Sequence, residues 1–226
     1  MKYQKITEGI FHARPNRFIA EVTVDGERQH VHVKNTGRCR ELLIPGCRVY
    51  LEKSDNPGRK TPFDLVAAET PWGIVNMDAQ IPNAAAYEWL RNQFPDAVIR
   101  REVKRGNSRV DLTMEREGRL TWVEVKGVTL AADGVAMFPD APTERGVKHI
   151  RELTDGVRNG EDAWIFFVIQ REDCRLFEPN WETHPELGDA LTDAQSAGVR
   201  ILAMDCTVTP DEMRIRRKIP VNLTKK

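Results

Sequence analysis

Asp111, Glu124 and Lys126 lie close together in the stretch RVDLTMEREGRLTWVEVKG and combine two hard oxygen ligands with an ammonium. Those are the parts that metal-assisted hydrolysis of a phosphodiester requires. Their spacing can be tested against strand geometry. A two-residue hairpin turn needs residues tolerant of positive φ, which selects Glu117-Gly118 as the turn. Paired positions then sum to 235, and Asp111 falls opposite Glu124 with Cβ atoms about 4.5–5.5 Å apart. Alternation places Glu124 and Lys126 on one face, with Val123 and Val125 on the other beside Val110, Leu112 and Met114. One face reads as core and the other as charged.

Two opposed carboxylates repel each other, and a divalent cation between them removes that cost. Asp111, Glu124 and the backbone carbonyl of Val125 are therefore the expected ligands of Mg2+ or Mn2+, which keep waters and accept phosphate oxygens. Lys126 would orient an attacking water or offset charge in the transition state. The competing account is a solvent-exposed hairpin face on which D…ExK arises by chance.

Neighbouring residues could support the chemistry. In FPDAPTERGVKHIREL, Pro142 marks a helix start, with Arg145, His149 and Glu152 along a polar stripe and Val147, Ile150 and Val157 on the buried side. Arg145 and Lys148 could contact phosphate and His149 could transfer a proton, although a surface histidine in a solvated helix fits the pattern equally. Glu88 could be a further metal ligand or an ordinary exposed glutamate, and Gln170, closing AWIFFVIQ, could reach the site.

The elements that must position these residues divide into two parts. FIAEVTV, HVHVK, CRVYLE, FDLVAAE and GIVNMD read as five short strands separated by turn-rich segments, suggesting an OB-fold-like small β-barrel over residues 1–81; an SH3-like barrel would look much the same. Residues 82–226 read as mixed α/β: a helix in NAAAYEWLRNQF capped by Asn83, a strand near Ala97 to Val103, the hairpin, a loop, a helix from about Thr143 to Arg158, the strand AWIFFVIQ, a helix from about Glu186 to Ala197 ending at Gly198, and the strand VRILAMD. In the barrel, Arg14, Arg17, Arg38, Arg59 and Lys60 are candidates for backbone contacts with nucleic acid, and Phe18 and Phe63 for stacking on bases. Arg105 and Arg109 join them from a basic stretch that also holds Arg100, Arg101 and Lys104. A second basic cluster, Arg214, Arg216, Arg217, Lys218, Lys225 and Lys226, crowds the carboxy terminus; either cluster could instead be solvated surface.

Composition narrows the class. With 226 residues, 40% hydrophobic and 30% charged, the chain is neither disordered nor fibrous. Basic and acidic residues balance at 34 each, so local clusters matter more than bulk charge. Cys39, Cys47, Cys174 and Cys206 show no zinc-binding spacing and read as reduced thiols. The longest apolar run, Trp164 to Ile169, is far too short to span a bilayer, and no secretory signal pattern opens the chain. The expectation is a cytoplasmic protein with no membrane partner, with a homodimer left open.

Through ARPNRF, KNTGRCRELLIPG, GRKTPFDL, RGNSRVDL, VEVKGVTL, FPDAPTERGVKHIREL and FFVIQR, the chain resembles the sugar fermentation stimulation protein family, SfsA, from about residue 9 to 210. The resemblance implies an amino-terminal OB fold followed by a PD-(D/E)XK nuclease-like domain, with the nuclease pattern falling on Asp111, Glu124 and Lys126. It implies nucleic acid as partner, DNA with RNA left open, and a family first described as non-specific DNA-binding regulators of sugar, notably maltose, metabolism. ETHPELGDAL departs from the family in carrying His184 where aspartate is expected, in what reads as a peripheral loop. Three functions stand against one another: a metal-dependent nuclease, a DNA-binding regulator that does not cut, and a sugar-modifying hydrolase. The last would use paired carboxylates without a nearby lysine and basic stretches. No helix-turn-helix is recognisable.

Overall fold

The computed structural model describes residues 1–35, 37–106 and 108–225; Lys226 of the carboxy-terminal cluster lies outside them. The chain opens with a strand that the sequence reading did not anticipate, β1 (Ile6–Asn16), followed by β2 (Ile19–Val24), β3 (Glu27–Val33), β4 (Arg48–Lys53), β5 (Phe63–Thr70) and β6 (Gly73–Asn76). Strand β1 hides in sequence because its pairing with β2 shifts register between Phe11 and Ala13 and again before Asn16, which breaks the two-residue alternation that marks a strand. The sheet runs β3-β2-β1-β4-β5-β6, and a parallel β3–β5 pairing closes the first five strands into an OB barrel. Its interior is apolar, built from residues such as Phe11, Val22, Val31, Val49 and Leu65. Phe63 is part of this core at 8% exposure and is not a stacking surface; Phe18, half exposed, remains one.

A mixed α/β domain follows. It comprises α1 (Ile81–Gln93), β7 (Val98–Arg105), β8 (Ser108–Arg116), β9 (Arg119–Val128), β10 (Ala131–Ala132), β11 (Val135–Phe138), α2 (Glu144–Arg158), β12 (Asp162–Ile169), β13 (Leu176–Pro179), α3 (Pro185–Ala197), β14 (Arg200–Val208) and β15 (Met213–Lys218). Strands β10, β11, β13 and β15 were not expected. The first three form a small separate sheet of two to four residues per strand, too short for a periodic signal, and β15 is an edge strand rich in arginine.

The main sheet is ordered β15-β14-β12-β9-β8-β7, and its centre is parallel: β12 pairs with β9 and with β14. Parallel neighbours need crossovers, which α2 and α3 supply, and such strands are covered on both faces. One face packs Leu112, Val123, Val125, Phe166 and Val168 against Ala85 and Leu90 of α1 and against Tyr3, Tyr50 and Val66 of the barrel, so barrel and sheet share a core. The other face packs Ile165, Phe167 and Ile169 against Val147 and Ile150 of α2 and Leu191 of α3. Among the described residues no helix is long and apolar enough to cross a membrane.

Candidate metal centre and nucleic-acid interface

Strands β8 and β9 meet at Glu117 and Gly118, which both adopt positive φ, 52° and 74°, as the tight hairpin turn demands. Their ladder runs from Arg116–Arg119 to Leu112–Val123, every pair in the expected register. Beyond Leu112 the Asp111 side chain takes over: Oδ2 accepts the Val125 N–H at 2.8 Å, and Oδ1 accepts from Asn83 Nδ2 at 2.8 Å. Burial and the nearby Glu124 charge push the Asp111 carboxyl above its usual range, against those two hydrogen bonds and the charge of Lys126.

Glu124 is 3% exposed, so it does not lie on a solvated hairpin face as the competing account required. Helix α2 covers it. Glu124 Oε1 accepts from Lys126 Nζ at 2.6 Å and lies 2.6 Å from His149 Nδ1 on α2. Arg145 Nε stands 3.5 Å from the other ring nitrogen of His149. The chain Arg145, His149, Glu124, Lys126 places three cationic or polar groups around one buried carboxylate, and Asp111 approaches from the facing strand.

Hard oxygen donors, a repulsion between carboxylates and a neighbouring backbone carbonyl suit a divalent cation of the magnesium, manganese or calcium type. Asp111, Glu124 and the Val125 carbonyl fit that role. Among the described residues no three histidine, cysteine or acidic side chains are arranged to hold a metal ion by themselves, so any such ion would complete its shell with water or substrate.

Sequence reasoning missed Asn83. It was expected to cap α1, but the helix begins at Ile81 with Pro82 in its first turn, and Asn83 sits inside that turn facing Asp111. Glu88, offered as a metal ligand, is elsewhere: five residues on from Asn83 it is rotated by about 140° around the helix. It binds the Met1 ammonium at 3.0 Å. Helix α2 begins at Glu144, one residue after the expected start, because Thr143 Oγ1 caps it by accepting the Gly146 N–H. Val147 and Ile150 are buried as expected, while Val157 is only half-buried.

Comparison with known proteins decides the family. A family model described as the sugar fermentation stimulation protein RE domain matches residues 80–212, and one described as the SfsA N-terminal OB domain matches residues 13–77. The chain belongs to the SfsA family. A sugar fermentation stimulation protein homolog of Desulfitobacterium hafniense strain Y51 is 50% identical over 225 residues, covering 99% of both chains. A homolog of Clostridium beijerinckii is 49% identical, covering 99% of this chain and all of its own. The structure of Pyrococcus furiosus SfsA in complex with Ca2+ superposes with a TM-score of 0.87 at 29% identity, covering 98% of each chain.

In this SfsA-family chain the candidate nucleic-acid contacts separate by what already holds them. Arg14 is a brace: its guanidinium donates to the backbone carbonyls of Arg17, Asn35, Gly37 and Arg38. Arg59 is bound in a fork to Asp64 at 2.7 and 2.9 Å. Arg105 is engaged by Glu161 and the Glu152 carbonyl and lies over the Trp122 ring. These three guanidiniums already have structural partners within the fold. Arg17, over the Phe18 ring at 5.9 Å, together with Arg38 and Lys60, stays exposed on the barrel. Arg109, Arg145 and Lys148 line an open groove beside His149, although Arg109 leans on Glu102 at 3.4 Å and Lys148 on Glu152 at 3.7 Å. In the carboxy-terminal cluster, Arg216 and Arg217 are held by the fully buried Asp205, which leaves them little freedom to contact phosphate.

Two further residues matter more than sequence suggested. His184 is not peripheral: it is 5% exposed, stands at the N-cap position of α3 without a side-chain hydrogen bond to that helix, and its Nδ1 accepts the Thr143 N–H at 3.1 Å, tying α3 to the start of the helix that carries His149. Gln170 does not touch the carboxylates. Its Nε2 donates to the Asn76 and Asp78 carbonyls and to Asn76 Oδ1, fastening β12 to the barrel.

Proposed function

We propose that this chain is a metal-dependent nuclease that hydrolyses phosphodiester bonds in DNA, with RNA as a second substrate class, its barrel domain (residues 1–81) holding nucleic acid for a catalytic domain (residues 82–226). The observation that carries the reading is the pairing of a buried Glu124 with Lys126 Nζ at 2.6 Å across from Asp111. The Ca2+ named in the Pyrococcus furiosus structure supports a cation site in this fold; Mg2+ or Mn2+ is the working ion proposed here.

A cation bound by Asp111, Glu124 and the Val125 carbonyl would supply Lewis acidity toward the phosphoryl oxygens. Lys126 orients the water whose oxygen bonds to phosphorus as the bridging P–O bond breaks, and its charge stabilises the phosphorane-like state. His149 and Asn83 hold the two carboxylates in place, as hydrogen-bonded partners of metal ligands do. Arg145, Lys148 and Arg109 provide phosphate contacts along the groove beside the site. A second reading, a DNA-binding regulator of sugar metabolism that does not cut, is favoured by the name its relatives carry, sugar fermentation stimulation protein homolog.

Cleavage of labelled single-stranded DNA, duplex DNA and RNA, with magnesium, manganese or chelator, separates the two. Metal-dependent products from wild type that vanish in Asp111→Ala and Lys126→Ala uphold the nuclease. Equal binding by all three proteins with no cleavage upholds the regulator.

A further inference from the structure

Beyond the carboxylates, the carboxyl ends of β9 and β12 open into a cavity of about 170 Å³ between the barrel and the main sheet. Its walls include Asn35 of the barrel, Gly127 of β9 and Thr129 just after it, Phe138 at the end of β11 and Asp140 beyond it, and Gln170 after β12. We propose that this cavity binds one unstacked nucleobase bearing an exocyclic amine, on the nucleotide next to the scissile phosphate. The inference rests on the nuclease reading and adds a substrate class to it: unpaired strands or strand ends.

Position is the first argument. Gly127 directly follows Lys126, about 3.8 Å along the chain, and crevices at the carboxyl ends of strands are where open α/β sheets take ligands. The cavity therefore opens at the strand end, one residue beyond Lys126.

Chemistry is the second. Gln170 is 2% exposed and spends its Nε2 on three acceptors of the barrel linker, while its Oε1 has no donor among the described residues. That oxygen lies at the cavity wall beside Gly127, where it can accept a hydrogen bond from a ligand N–H. The opening exists because residue 127 is glycine: a Cβ there would lie 2.5 Å from that oxygen and 2.7 Å from Pro82 Cγ. Asp140, with no ion pair among the described residues, adds a second acceptor at the rim and disfavours a phosphate inside. Phe138 supplies an apolar wall.

Size is the third. The volume falls below the roughly 300–1,000 Å³ of sites that enclose a drug-sized ligand, so it suits one ring system. A base can enter only after leaving its stack and its partner, which selects unpaired nucleic acid.

The test uses short single-stranded DNA carrying 2-aminopurine, with chelator present, and the full-length protein as wild type, Ala79→Trp and Asp140→Ala. Ala79 is exposed and lines the cavity, so tryptophan there plugs the mouth without disturbing the core. The expected result is a change in 2-aminopurine emission on binding to wild type, its loss in Ala79→Trp while overall strand binding by anisotropy persists, and about tenfold weaker binding in Asp140→Ala. An emission change of the same size in wild type and Ala79→Trp overturns the pocket. Cleavage by wild type with magnesium in that case leaves the nuclease reading standing alone; a base signal lost in Ala79→Trp from a protein that cuts nothing keeps the pocket and overturns the nuclease.

Discussion

Asn83 Nδ2 donates to Asp111 Oδ1 at 2.8 Å, so the first turn of α1 holds the carboxylate that the hairpin presents. Partners of this kind fix a ligand's orientation, and their loss commonly costs about 10–100-fold in metal affinity or activity. Asn83→Ala is expected to weaken magnesium or manganese binding by that factor in calorimetric titration while the circular dichroism spectrum stays native. Unchanged affinity would remove Asn83 from the site.

Lys126 is held by Glu124 and has no role in the apolar core, so its loss should be felt in chemistry before stability. Lys126→Ala is expected to lower the cleavage rate at saturating substrate about 10²–10³-fold, the cost typical of removing one preorganised charge-stabilising donor. Substrate affinity should change little. A defect confined to KM would instead assign Lys126 to binding.

His184 accepts the Thr143 N–H beneath both helix starts. Removing a buried acceptor leaves that donor unsatisfied, so His184→Ala should destabilise the fold by about 1–3 kcal/mol in urea unfolding. His184→Asp, which keeps an acceptor at this position and adds a carboxylate at the start of α3, should recover most of the loss. Equal loss in both variants would show that ring packing, not the hydrogen bond, is what matters.

Asp64 has a pH signature. Burial raises its pKa, but the hydrogen bonds from Arg59 and His32 and the charge of Lys34 outweigh burial and bring it down to about 2. A carboxyl depressed by folding stabilises above its unfolded pKa of about 3.9, and that stability is lost as pH falls through the folded value. Wild type is expected to lose on the order of 2 kcal/mol between about pH 4 and pH 2 through this group alone. Asp64→Asn should show a correspondingly shallower decline in Tm over the same window, measured in parallel; identical slopes would contradict the assignment.

The exposed barrel cations and the bracing one should differ in kind. Arg17→Ala or Lys60→Ala is expected to reduce the slope of log binding constant against log salt by about 1 for DNA, with Tm unchanged. Arg14→Ala removes the donor to four backbone carbonyls and should lower Tm before it alters the salt slope. A salt-slope change in Arg14→Ala at unchanged Tm would return that residue to the interface.

The local sequence determined the hairpin register, because a glycine-containing turn and a two-residue alternation leave a single way to pair β8 with β9; Asp111, Glu124 and Lys126 were legible for that reason. Helix α2 and the buried run of β12 were legible too, since apolar periodicity reports which face or strand is covered. Tertiary structure alone decided which cations are spent. Arg14, Arg59 and Arg105 look like Arg17 and Arg38 in sequence, and only folding brings carbonyls or carboxylates to the first three. It also decided that Asn83 and not Glu88 meets Asp111, since the helix starts three residues earlier than its cap-like asparagine suggests and rotation then separates the two side chains. Burial of Glu124 under α2, and the cavity at Gly127 and Gln170, depend on packing between segments remote in the chain, which no local pattern encodes.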